Sequence, residues 1–161
     1  MTPEQIQRHL LRAHAVALRA RDQMGRHPFG ALLVAPDGET VIAEQGNVDT
    51  VNHAESVLAR TAALNYDAAY LAQCTLVATV EPCAMCAATQ YWANIGRLVY
   101  GISEQRLREL TGNHPENPTL DLPCRDVFAA GQKPIEVIGP VPGVEAELTA
   151  PHLAFWQRHG S

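Results

Sequence analysis

The sequence predicts an α/β protein built as a three-layer α/β/α sandwich. Three observations carry that expectation. A long helical pattern opens the chain, and short β-branched and apolar runs then alternate with helical stretches in the order β-β-α-β-α-β-α-β. Gly, Pro and Asp-Gly punctuation separates the segments.

Taken in order, residues 4–24 place Ile6, Leu10, Leu11, Ala15 and Leu18 at helical spacing, and Gly25 stops the pattern. Phe29–Val34 and Thr40–Ala43 flank the turn signal Pro36-Asp37-Gly38 and read as a β-hairpin. A loop from Gln45 to Asn52 leads into an alanine- and leucine-rich helix over 53–64. Cys74–Val80 reads as a buried strand, and a helix over 84–93 begins just after Pro82. Arg97–Gly101 is the next strand and Glu104–Leu110 a short helix. The Pro-, Asn- and Gly-rich segment 112–123 reads as a loop. A last strand, Pro134–Ile138, precedes Gly139-Pro140, and the tail from Val144 looks helical but interrupted at Pro151.

Length and composition set bounds. A chain of 161 residues, 47% apolar, is expected to form one domain over 1–161 with a substantial core. There is no run of eighteen apolar residues to suggest a membrane span, and Met1-Thr2-Pro3-Glu4-Gln5 lacks a secretory layout. The net charge of −5 and a single lysine, Lys133, count against a nucleic-acid backbone as partner. Arg8, Arg12 and Arg19, spaced by four and seven, read as the solvated face of the first helix.

Chemistry concentrates in His53-Ala54-Glu55 and Pro82-Cys83-Ala84-Met85-Cys86. Cys83 and Cys86 lie one helical turn apart at a predicted helix start, where free N–H groups favour thiolate over thiol. His53, at the start of another helix, completes a three-donor zinc set of one ion per chain. Three protein donors leave the fourth position of zinc to water, the arrangement of a catalytic rather than a structural site. Glu55 stands beside the set without joining it, as a group that carries protons must, and the backbone N–H of small Ala54 is placed to approach a substrate. Cys74 and Cys124 read as buried free thiols. A close C-x-x-C facing a distant His fits a reducing compartment, so a cytoplasmic location is expected. His9, His14, His152 and His159 read as solvated helix residues, His27 as a loop residue, and His114 as part of a loop that could cover a site.

The His-Ala-Glu and Glu81-Pro82-Cys83-Ala84-Met85-Cys86 motifs resemble those of the cytidine-deaminase-like superfamily, in the branch that holds bacterial guanine deaminases and tRNA adenosine deaminases. The resemblance covers nearly the whole chain. It implies a mixed five-stranded sheet flanked by helices, assembly as a homodimer, zinc on His53, Cys83 and Cys86, and Glu55 as proton shuttle. Pro28-Phe29-Gly30-Ala31 is similar to the motif whose aromatic residue lines the base pocket, although Phe29 reads equally as core packing. Asn47 matches an Asn that hydrogen-bonds substrate. The step from Asn47 to His53 is shorter than in the tRNA enzymes, and Asn52 replaces their usual Ala.

Tyr91-Trp92-Ala93 is similar to guanine deaminases, where the Trp helps form the purine site. Asp121 and Asp126 are candidates to meet the amidine face of guanine, and the aromatic tail 152–156 reads either as a cover over the site or as helix packing. The resemblance thus implies hydrolytic deamination of a small heterocyclic base, guanine to xanthine first. Adenosine in tRNA, another base, nucleoside or pterin, and a non-enzymatic zinc-stabilised module are the alternatives.

Overall fold

The computed structural model describes residues 1–112 and 114–158; the expectation for His159 lies outside them. The first helix, α1 (Pro3–Met24), starts from a reciprocal cap. Thr2 Oγ1 accepts from the Gln5 amide at 3.1 Å while the Thr2 amide donates to Gln5 Oε1 at 2.8 Å. It ends at Gly25, whose φ of 64° is the left-handed conformation that suits glycine. The hairpin forms as β1 (Gly30–Val34) and β2 (Val41–Gly46), followed by α2 (Ala54–Asn65), α3 (Ala68–Leu71), β3 (Thr75–Val80) and α4 (Ala84–Trp92). Then come β4 (Arg97–Ile102), α5 (Glu104–Thr111), α6 (Cys124–Ala129), β5 (Glu136–Ile138) and α7 (Glu145–Arg158).

The five strands make one sheet in the order β2-β1-β3-β4-β5. β1 runs antiparallel to both β2 and β3, whereas β3, β4 and β5 are parallel, so the sheet is mixed. Alternation along β1 and β3 divides the core. Ala31, Leu33, Leu76 and Ala78 face α2, α4 and α6, and Leu32, Val34 and Val77 face α1, α5 and α7. This is the expected three-layer arrangement.

Several expectations need correction. Two short helices went unforeseen: α3, begun by Asp67, whose side chain accepts from the Tyr70 amide at 2.8 Å, and α6, which follows Pro123. Pro151 does not interrupt the tail but sits within α7. Burial of Leu148, His152, Phe155 and Trp156 on that helix offsets the one backbone hydrogen bond the ring removes. His9 and His152 are buried, not solvated, and His14 is half-buried. His9 lies on the same stripe of α1 as Ile6, Ala13 and Val16, and its Nε2 meets the Gly38 carbonyl at 2.9 Å. Arg8, Arg12 and Arg19 do face solvent, but each is paired with a hairpin carboxylate, Arg8 with Glu39 and both Arg12 and Arg19 with Glu44.

Gly30 sets how closely the sheet approaches α1. A Cβ there would lie 2.3 Å from the Ala13 carbonyl oxygen, a backbone atom that cannot rotate away. Gly30→Ala is expected to destabilise the protein by about 1–3 kcal/mol through overpacking. Denaturant unfolding would show a lower midpoint, and an unchanged midpoint would mean that α1 is free to shift.

Candidate metal centre and active site

The topology gathers one end of every central strand at a single place. Because β1 is antiparallel to its neighbours, its start (Phe29, Gly30) lies beside the end of β2 (Gly46, Asn47) and the end of β3. The ends of β3 and β4 come together there as well, with Val80 opposite Ile102. Clefts in α/β sheets form at such strand ends. A cavity of about 500 Å³ occupies this one, lined by Phe29, Asn47, His53, Glu55, Glu81, Cys83 and Glu104 among others.

His53 and Cys83 each occupy the residue before a helix, α2 and α4 respectively, with extended backbone and no side-chain bond to the helix. Their side chains are therefore available to a ligand. Cys86, one turn into α4, is fully buried. His53 Nδ1 lies 3.6 Å from Cys83 Sγ and 3.5 Å from Cys86 Sγ. Tetrahedral zinc with ordinary Zn–N and Zn–S bonds separates such donors by about 3.6 Å, so the three residues fit zinc as they stand. They are also the one His/Cys/Asp/Glu group with metal-site geometry among the described residues.

A hydrogen bond behind His53 fixes its ring. Its Nε2–H donates to the Thr50 carbonyl at 3.0 Å, which leaves Nδ1 as the donor to metal. The Thr50 carbonyl is held by a tight loop in which the Asp49 carboxylate accepts from the amides of Val51 (2.9 Å) and Asn52 (2.7 Å) and from the Asn52 side chain. Those bonds, the Asn52 side chain's foremost, hold Asp49 down at about 2. Asn52, where the tRNA enzymes usually have Ala, is thus an anchor of the ligand loop.

The charges of the three donors are interlocked. Without metal, the Cys83 thiol is lowered to about 4, first by the hydrogen bond from Cys86 and then by that from His53. The thiolate in turn raises His53 to about 9, and Cys86, donor to that thiolate and deeply buried, is pushed up. Glu55 is 6% exposed, and burial raises its carboxyl to about 7. Its Oε2 sits 3.8 Å from Cys86 Sγ. A carboxyl poised near neutrality suits a group that must both take and return a proton.

Other expected site residues divide. Phe29 and Asn47 line the cavity; the Asn47 amide bonds the Phe29 carbonyl at 3.0 Å, and its Nδ2 donates to the Asp49 carbonyl at 3.2 Å. Phe29 also packs against the α1-side core. The Ala54 methyl is buried in the core, and its amide is one of the first-turn N–H groups that α2 itself leaves unbonded.

Trp92 and Asp126 are not brought to this chain's cavity. Trp92 ends α4 on the outer surface, 74% exposed, with the Lys133 ammonium 5.3 Å above its ring, and Asp126 is exposed on α6. Asp121 pairs with Arg108 at 3.1 Å. Cys74 and Cys124 are buried free thiols, as expected. His114 is buried against Trp156, ring centroids 4.9 Å apart, while its neighbours Pro115 to Pro118 line the cavity. The tail packs rather than enters: Phe155 and Trp156 rest on His27, which itself lines the cavity.

Sequence reasoning missed Glu81 and Glu104. Buried Glu81 accepts from the Glu104 amide at 3.0 Å and the Cys124 amide at 2.7 Å, tying the starts of α5 and α6 to the end of β3. Its place between an apolar strand and Pro82-Cys83 was the available signal, since a carboxylate there has to find buried donors.

Comparison with known proteins agrees with this geometry. The sequence profile of the cytidine and deoxycytidylate deaminase zinc-binding region matches residues 3–102. A probable cytosine deaminase of Schizosaccharomyces pombe is 37% identical over 152 residues, 92% of this chain and 90% of that protein. The guanine deaminase of Bacillus subtilis is 39% identical over 77 residues, 45% of this chain and 49% of that protein. A structure from work on A-to-I editing by tRNA:A34 deaminases superposes with a TM-score of 0.56 at 30% identity, covering 82% of this chain and 96% of that one. Motif, sheet and donor set agree: this chain belongs to the cytidine and deoxycytidylate deaminase family of zinc-binding enzymes.

Proposed function

We propose that residues 1–161 form one deaminase domain that hydrolyses the exocyclic amine of a free nucleobase, giving the oxo base and ammonia. The observation that carries this reading is a buried carboxyl, Glu55, beside a three-donor set that opens into a cavity of about 500 Å³. Zinc, when bound by His53, Cys83 and Cys86, supplies an activated water at neutral pH. Glu55 is placed to take a proton on its carboxylate from an attacking water and to return it to the exocyclic amine, which would leave as ammonia as the carbon gains its oxygen. Phe29 offers an aromatic face to the base, and Asn47 keeps its Oδ1 as acceptor because Nδ2 is held by Asp49. The Ala54 amide points from the start of α2 as a donor.

The relative that spans 92% of this chain makes cytosine the first substrate to test. Guanine, expected from Tyr91-Trp92-Ala93, is the second; its support is the shorter match to the B. subtilis enzyme. Trp92 lies on the outer surface of this chain, away from its own cavity. A tRNA substrate is disfavoured by a net charge of −5 and by pairing of Arg8, Arg12 and Arg19 with Glu39 and Glu44. A homodimer, implied by the resemblance, and a cytoplasmic setting, in keeping with four free cysteines, belong to the same proposal. No described helix is long and apolar enough to cross a membrane.

The test is kcat/KM for cytosine, guanine, cytidine, guanosine, adenosine, a pterin and a tRNA anticodon stem-loop. A free base is expected to exceed its nucleoside by at least about tenfold, the scale on which pockets reject added bulk. Turnover of the stem-loop alone would overturn the assignment.

A further inference from the structure

Four carboxyl groups line the cavity, and three already have occupations. Glu55 belongs to the reaction. Glu81 has an oxygen on each of two backbone amides. Glu116 is exposed and meets His27 Nε2 at 3.2 Å. Glu104 is different: it lines the cavity, is 5% exposed, and its carboxyl has no hydrogen bond or ion pair among the described residues. Its backbone is nonetheless fixed, because the Glu104 amide donates to Glu81 at 3.0 Å and Ser103 Oγ caps the same helix through the Arg106 amide at 3.0 Å.

A carboxyl 5% exposed that opens onto a cavity, with no protein group to receive it, is largely stripped of water and costs stability unless a ligand meets it. We propose that Glu104 is the residue that recognises the substrate's amidine edge, accepting a hydrogen bond from the exocyclic amine and, where the ring carries one, from the adjacent N–H. The inference rests on the free-base reading above and gives it a substrate class: amino-heterocycles that turn the reacting amine and its neighbouring ring nitrogen towards position 104, guanine with an additional N1–H donor and cytosine with the amine alone. It takes over the role that sequence reasoning gave to Asp121 and Asp126, which face solvent or Arg108. Glu104 follows β4 directly and so stands at the same sheet end as the metal donors. Burial, and then the nearby Cys83, Glu55 and Glu81, raise its carboxyl to about 9. Charged or neutral, it keeps an acceptor oxygen for the base.

Binding and stability should move in opposite directions, which a merely structural role would not produce. In zinc-loaded protein carrying Glu55→Gln to prevent turnover, calorimetric Kd values for cytosine and guanine are compared with and without a second change at position 104. Glu104→Leu is expected to weaken the preferred base by about 10- to 100-fold, the worth of one buried hydrogen bond to an ionisable group. Glu104→Gln, which keeps a carbonyl acceptor, should stay within about threefold of the parent, as expected where one acceptor is retained. The unfolding midpoint of Glu104→Leu should equal or exceed that of the parent, since an apolar group replaces an unpartnered carboxyl. Unchanged Kd in Glu104→Leu, or a lowered midpoint alongside weaker binding, overturns the role. Ammonia release by the wild-type enzyme separates this from the reaction itself. Weaker binding in Glu104→Leu with no wild-type turnover keeps the role and sinks the reaction. Absence of binding by either base sinks both.

Discussion

Glu55→Gln is expected to keep zinc and fold while cutting turnover by about 10²- to 10⁴-fold, the range that positioned acid–base groups contribute. The expectation follows from position. Glu55 is one residue beyond Ala54 at the start of α2, so the helix that places His53 at the metal also places the carboxyl beside it. It is buried against Cys86 Sγ rather than bonded to a cation, so its loss leaves no charged partner stranded. Zinc content by atomic absorption, with initial rates of ammonia release on the same preparation, checks both halves. Near-normal turnover would remove Glu55 from the reaction.

Cys83→Ala is expected to lose zinc, and activity with it. The loss should exceed the roughly 10- to 100-fold fall in affinity that follows removal of a hydrogen-bond partner behind a ligand. The metal-free charge state adds a pH dependence. His53 raised to about 9 and Cys86 raised further both hold protons at neutral pH, while Cys83, lowered to about 4, does not. Zinc must displace both protons, so its affinity should climb by about 100-fold per pH unit between roughly pH 5 and pH 9, and fall by the same factor as pH drops. Competition with a chromophoric chelator across that range measures the slope. A slope near one proton would mean that one of the two residues is not a ligand; stoichiometric zinc in Cys83→Ala would remove that residue from the set.

What was legible in the sequence was whatever is set locally. Apolar spacing gave α1, and the Pro36-Asp37-Gly38 turn gave the β1–β2 hairpin. Paired motifs at two helix starts gave the metal donors, because one helical turn fixes Cys83 and Cys86 together. What was hidden depends on contacts between distant elements. That Trp92 faces outward and Glu104 inward is decided by which side of the sheet α4 and α5 pack on, and no local pattern states that. The partners of Glu81 lie 23 and 43 residues away. His9 was misread because a histidine on an apolar stripe reads as polar until a carbonyl, here that of Gly38, is seen to receive it.

Zinc-dependent hydrolysis is tested most directly on a single preparation assayed for zinc per chain and for ammonia released from cytosine and guanine in oxygen-18 water. The expected result is about one zinc per chain, one labelled oxygen in each oxo product, and activity that disappears on chelation and returns with zinc. Turnover that survives removal of the metal, or a product without label, would contradict it.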